Sequence, residues 1–215
     1  MSFAFEPARA IAHLRAADDR LAAVIDAVGP FRMQLKSSRS LFGALAEAIV
    51  YQQLSNKAAA TIYGRLEALY PRAKPAFTPL HILRTADERL RGVGLSRAKV
   101  LALQDLARRV QAKELPTLDE VHAIEDAALI ERLIVVRGIG RWSAEMFLMF
   151  RLGRPDVLPV DDYSLRKAYA KALNKRKLPT PEALTKAGEK WRPFRTVASW
   201  YLWQTLNGPS PAPLE

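Results

Sequence analysis

Two carboxylates stand side by side at Asp161 and Asp162, in the run LPVDDYSLRKA. The residues after them have helical periodicity, so one acid sits at a helix N-terminus. N–H groups and the helix dipole there favour an ionised carboxylate. Such a group can stabilise positive charge that develops on a substrate, and can orient or deprotonate a water. It can equally do no more than cap the helix, because Asp is a preferred N-cap. About twenty residues upstream lies Gly138-Ile139-Gly140. Glycines permit positive φ and close backbone approach. A turn of this kind at a helix start presents N–H groups that can hold a phosphate. The tripeptide alone is equally an ordinary tight helix–helix connection. The third group is aromatic: Trp191, Phe194, Trp200, Tyr201 and Trp203, with three of the four tryptophans inside thirteen residues. Electron-rich rings can stack on a cationic ligand, while at helical spacing most aromatics are core.

Helices must position these groups. Leu133 and Val136 end one apolar pattern, and Ala144, Phe147 and Leu148 begin another, so the glycines hinge a helical hairpin. Pro7 suits a first helical turn, and Asp18 and Asp19 can cap a break between two helices that run up to Gly29-Pro30. Ser40 and Ser55 read as N-caps of two helices that flank the corner Gln52-Gln53-Leu54-Ser55. Pro71, Pro75 and Pro79 punctuate a linker. Gly92-Val93-Gly94 is a second glycine pair; paired with Gly138 and Gly140 it gives a pseudo-repeat offset by 46 residues, or else a plain turn with Ser96 as N-cap. Thr117 and Glu120 form a capping box. The last helix spans roughly 193–206, and the tail PSPAPLE is expected to be disordered. No strand pattern stands out, so the chain reads as all-α.

At 215 residues the chain can bury a sizeable core. Lys and Arg exceed Asp and Glu by 33 to 22, a formal net charge of +11. That balance favours a polyanionic partner. There is no cysteine, which excludes disulfides, thiol catalysis and a Cys-ligated iron–sulfur cluster. The three histidines, His13, His81 and His122, are scattered, which argues against a zinc site. No apolar run reaches membrane-spanning length and the N-terminus has no signal-peptide pattern. A cytoplasmic protein without a membrane partner is expected.

Several motifs occur together and in order. The hairpin spacing, the acid pair after it, GIGRW, LPVDDYSLRKA and KWRPFRTVASWYLW resemble the helix-hairpin-helix DNA glycosylase superfamily. Within it they look like the alkylbase branch, the DNA-3-methyladenine glycosylase II type in its compact form. The resemblance runs from about Ala8 to Leu206. It implies an all-α, two-lobed fold with the active cleft between the lobes. One lobe would span 35–160 and contain the hairpin at 133–148; the other would combine 1–34 with 161–207, leaving 208–215 as a tail.

The resemblance also assigns residues. The second acid of the pair, Asp162, would be catalytic, leaving Asp161 to cap or support. Bifunctional relatives carry a Schiff-base lysine two residues after the last hairpin glycine; here Trp142 stands there, so hydrolysis without lyase action is implied. Trp142 would then wall the base pocket or serve as core. Trp203 aligns with a pocket aromatic, and Met146 replaces a common pocket tyrosine, leaving the lesion range open. Leu54 would be the wedge that fills the space of an extruded base, against the plainer reading of a core leucine. Gly138, Gly140 and Arg141 would bind DNA phosphates, with Lys167 and Lys171 adding attraction. Arg195 would pair with an acid or hold phosphate. No cofactor is required, although the carbonyls of Ile134, Val136 and Ile139 would hold a sodium or potassium ion. The implied partner is duplex DNA with alkylated purines, bound by a monomer. Two rivals stay open: a glycosylase for another lesion class, and a non-catalytic helix-hairpin-helix DNA-binding module.

Overall fold

The computed structural model describes residues 3–73 and 76–206. Pro75 and the expected tail at 208–215 lie outside the described residues. Within them the chain is all-α, with no strand. No helix is long and apolar enough to cross a membrane. The chain divides into two compact units, one made of Met1–Lys36 with Leu148–Glu215, the other of Ser37–Phe147.

In the first unit α1 (Pro7–Ala17) and α2 (Asp19–Val28) are separated by Asp18. Its carboxylate accepts from Arg20 N at 3.1 Å and Leu21 N at 3.3 Å, capping α2. Asp18 is buried, and Trp191 Nε1 at 2.8 Å and Lys190 Nζ at 2.9 Å supply the partners a buried carboxylate needs. α10 (Tyr163–Ala172), α11 (Pro181–Gly188) and α12 (Arg195–Gln204) complete the unit, with α12 packed on α10 and α2. Trp191, Phe194, Trp200 and Tyr201 are buried core, and only Trp203 of that cluster is half-exposed.

The second unit holds α3 (Leu41–Tyr51), α4 (Asn56–Ala68), α5 (Pro79–Leu83), α6 (Asp87–Gly92), α7 (Arg97–Gln111) and α8 (Asp126–Leu133). α9 (Arg141–Phe150) begins in this unit, and the division falls inside it. α7 is the centre, packed against α3, α5 and α6. Its apolar face of Val100, Leu103, Leu106 and Ala107 is buried. Ser40, Ser55 and Ser96 cap α3, α4 and α7, each accepting the N–H three residues on. Thr117 and Glu120 make the reciprocal bonds of a capping box, but the helix they open is a single 3₁₀ turn, Glu120–Ala123.

The pseudo-repeat has a different register from the one its glycines suggest. Gly94 (φ +106°) and Gly138 (φ +81°) are the left-handed glycines. Each is followed by a buried aliphatic (Leu95, Ile139), then by the residue before the helix (Ser96, Gly140), then by an arginine. Gly94 therefore corresponds to Gly138, and Val100 corresponds to Ala144, where the offset of 46 would have put Ala98. The sequence register was misled because both pairs are spaced alike while the helices start at different distances from them.

Candidate active site

The acid pair sits in a turn in which Asp162 N donates to Pro159 O at 3.0 Å. Asp162, not Asp161, caps α10: its Oδ1 accepts from Leu165 N. Asp161 is exposed, so the capping role expected for it belongs to its neighbour. Trp203 Nε1 donates to the same Oδ1 at 3.2 Å, and the Phe150 ring stacks on Trp203 with centroids 6.2 Å apart. Two donors from different helices thus fix the orientation of the Asp162 carboxylate. The aromatic contact brings Phe150 into the site, a residue the sequence reading passed over.

The loop before the acid pair is strapped to the start of α12. Thr196 N donates to Pro155 O at 2.9 Å, Thr196 Oγ1 donates to Arg154 O at 2.6 Å, and Val157 N donates to Thr196 Oγ1 at 3.0 Å. Arg195 Nε and Nη2 hold the Asp156 carboxylate at 2.6 and 3.0 Å. That settles Arg195 as an acid partner, with Arg192 on the same carboxylate at 2.6 Å. Trp203 and Asp162 are held in mutual reach because their two segments are joined here.

In the other unit the hairpin turn is fixed by four partners. Ile139 N donates to Val136 O at 3.0 Å, and the Gly140 carbonyl accepts the first helical bond of α9 from Ala144 N at 3.1 Å. Arg137 N donates to Asp105 Oδ2 at 2.9 Å, and Gly138 O accepts from Gln52 Nε2 at 2.7 Å. A Cβ on Gly138 would lie 3.3 Å from Ala102 Cβ, so the turn rests directly on α7. α8 ends at Leu133, earlier than the pattern suggested; Val136 is instead a buried residue of the turn. Among the described residues neither Gly138 N nor Gly140 N donates to a backbone acceptor. Burial opposes ionisation of Asp105, but the Arg137 N–H and the Arg109 guanidinium outweigh it and hold the carboxyl below its ordinary range.

Leu54 is 38% exposed, at the corner between α3 and α4, so it is not a core leucine. Gln53 before it has φ +57°. Trp142 is 46% exposed, which removes the core reading for it too, and Met146 on the same helix is half-buried. Both belong to Ser37–Phe147, whereas Asp162 and Trp203 belong to the other unit. Arg141 is engaged with the buried Glu145 at 3.2 Å, and Lys171 Nζ donates to Thr205 O at the end of α12. Lys167 is exposed. Gln52, Lys99 and Asp105 were not singled out as functional from sequence, because nothing local to them announces their long-range partners.

A capped acid thus opens α10, and a glycine hairpin opens α9. The family model described as HhH-GPD superfamily base excision DNA repair protein matches residues 46–193, and the chain belongs to that superfamily. DNA-3-methyladenine glycosylase 1 of Schizosaccharomyces pombe is 35% identical over 194 residues, covering 90% of this chain and 85% of that protein. The solved structure of Schizosaccharomyces pombe 3-methyladenine DNA glycosylase in complex with abasic DNA matches with a TM-score of 0.82 at 34% identity, covering 94% of this chain and 98% of that one. A DNA-3-methyladenine glycosidase structure from Bacillus halodurans has a TM-score of 0.82 at 35% identity, covering 95% and 91%.

Proposed function

We propose that this chain is a monomeric, cytoplasmic DNA glycosylase of base excision repair that hydrolyses the N-glycosidic bond of alkylated purines, 3-methyladenine and its relatives, in duplex DNA. The observation that carries the chemistry is the doubly oriented Asp162 carboxylate at the start of α10. Asp162 is the catalytic residue. As the C1′–N bond breaks, its electron pair leaves with the base and positive charge builds on the sugar. A fixed carboxylate stabilises that charge. The same carboxylate orients a water, which adds to C1′ and loses a proton to Asp162. A purine alkylated at a ring nitrogen is already cationic and departs neutral, so no strong general acid is required.

Trp142 offers no amine where a Schiff base would form, so the product is an uncleaved abasic site. Trp203 serves as the pocket aromatic, both stacking on the base and orienting the acid; Trp142 and Met146 keep the pocket roles that the resemblance assigns them. Leu54, exposed at its corner, is the wedge that fills the vacated stack. Gly138, Gly140 and Arg141 meet the phosphates of one strand. The reaction needs no cofactor. The hairpin carbonyls suit a sodium or potassium ion: Val136 O accepts one N–H, and a carbonyl has a second lone pair to offer. Ile134, Val136 and Ile139 would supply those oxygens, and the ion would brace the turn.

Single-turnover release of free base from methylated duplex DNA tests the reading, wild type beside Asp162→Asn. Wild-type release of 3-methyladenine leaving intact abasic strands supports it. Equal DNA binding by both proteins with no base released by either overturns the alkylated-base reading, and Asp162→Asn activity equal to wild type removes Asp162 from catalysis.

A further inference from the structure

The wedge corner and the hairpin turn are joined through one residue. Gln52 ends α3, and two independent sets of bonds converge on it. Its main-chain carbonyl accepts from Lys99 Nζ at 2.9 Å, and the same ammonium donates to Val50 O at 2.7 Å. Its side-chain amide donates to Gly138 O at 2.7 Å and to Ser143 Oγ at 3.3 Å. Lys99 stands in the first turn of α7, so three segments of the second unit meet here: the corner, α7 and the hairpin.

Two physical points give this meeting a purpose. The last carbonyls of a helix lack intrahelical partners, and a lysine ammonium is a suitable one for them. Lys99 satisfies two of those carbonyls and its charge is directed inward; burial pushes its ammonium below the ordinary lysine value. Second, Gln53 adopts a left-handed φ without being glycine, a conformation that is unfavourable and persists only where neighbours enforce it. The residue before it is the one held from both sides, and the residue after it is Leu54.

We propose that Gln52 and Lys99 are positioning residues that couple the hairpin's grip on phosphate to the insertion of Leu54. They fix the distance from the anchor to the wedge, so docking of the hairpin delivers Leu54 at a set depth. This rests on the wedge and hairpin roles given under the proposed function. Neither positioning residue contacts a phosphate, so removing Lys99 leaves the salt dependence of binding alone. A phosphate-contacting lysine would instead lower the slope of log K against log salt by about one.

The experiment uses a duplex with 2-aminopurine beside an abasic-site analogue, whose fluorescence rises on unstacking. Wild type, Leu54→Ala, Gln52→Ala, Gln52→Glu, Lys99→Met and Lys99→Arg are compared, with binding measured over a salt series and folding checked by thermal unfolding. The expected result is a fall of about fivefold in the unstacked population for Gln52→Ala and Lys99→Met, one hydrogen bond's worth each. Gln52→Glu, which replaces the donor amide with an acceptor facing Gly138 O, falls at least as far. Lys99→Arg restores most of the signal. A double variant, Gln52→Ala with Leu54→Ala, is measured alongside and falls little below Leu54→Ala alone, because the two act through one wedge. Wild-type fluorescence in Gln52→Ala and Lys99→Met with a clear loss in Leu54→Ala overturns the coupling while leaving the wedge intact. A Lys99→Met slope lower by about one overturns it by making Lys99 a phosphate contact. If Leu54→Ala itself keeps full fluorescence, the wedge reading fails and the coupling fails with it.

Discussion

Replacing Asp105 by alanine removes a negative charge from beneath a turn proposed to meet DNA phosphates, yet it is expected to weaken binding. The carboxylate accepts the Arg137 N–H, and a hydrogen bond to a charged group contributes about 1.5–3 kcal/mol. The compensating gain is relief of repulsion with a phosphate, about 0.4 kcal/mol for unit charges about 10 Å apart in water and less in salt. The loss wins, and the affinity for a short abasic duplex is expected to fall about tenfold. Fluorescence anisotropy across a salt series measures it. Asp105→Asn keeps an acceptor at the same place and is expected to retain most of the affinity. The pH dependence follows from the direction of the shift. Asp105 is held below its ordinary value in the folded chain, so its stabilisation is fully present above about pH 3.9 and is lost as pH falls through the lower folded value. Asp105 therefore contributes no pH dependence to binding between about pH 5 and 8. Unchanged or tighter binding by a stably folded Asp105→Ala protein would refute the claim that this carboxylate fixes the turn.

Three other expectations follow from the same geometry. Trp203→Phe keeps an aromatic ring but removes the donor to Asp162 Oδ1, so the single-turnover rate of base release should fall about tenfold with binding of abasic DNA little changed. Gly138→Ala meets a left-handed φ and a Cβ contact of 3.3 Å to Ala102, so the thermal midpoint should drop for a loss of about 1–2 kcal/mol, and DNA affinity should drop with it. Arg195→Ala leaves the Asp156 carboxylate with Arg192 and the main-chain N–H of residue 195; denaturant unfolding should register about 1.5–3 kcal/mol of lost stability, the contribution of hydrogen bonds to a charged group.

Helices were legible in the sequence where their signals are local. Ser40, Ser55 and Ser96 announce their helices through a side chain that reaches three residues along, as Asp18 does for α2, and Pro7 announces α1 by its fixed φ. The all-α class follows from such signals together with apolar periodicity. Choices between adjacent or similar residues were not legible. Either of Asp161 and Asp162 could cap, and the arrangement is completed by Trp203, forty-one residues on. Two glycine pairs of equal spacing gave the wrong register, because the deciding fact is which glycine takes a positive φ. Arg195 was undecided until Asp156 was placed against it, and Gln52, Lys99 and Asp105 carried no local sign of their distant partners.

The hairpin turn has a thermodynamic consequence of its own. The peptide unit joining Val136 to Arg137 is bonded at both its carbonyl and its N–H, and so is the unit joining Gly138 to Ile139. Alternate peptide planes are thus immobilised in the folded chain, while the amides of Gly138 and Gly140 have no backbone acceptor among the described residues. If this turn meets phosphate as proposed, the ligand finds a template whose ordering entropy was already lost on folding, so little is left to lose on association. Contact made in that way would depend on the backbone of the turn and on no base, as the proposed search along a duplex requires.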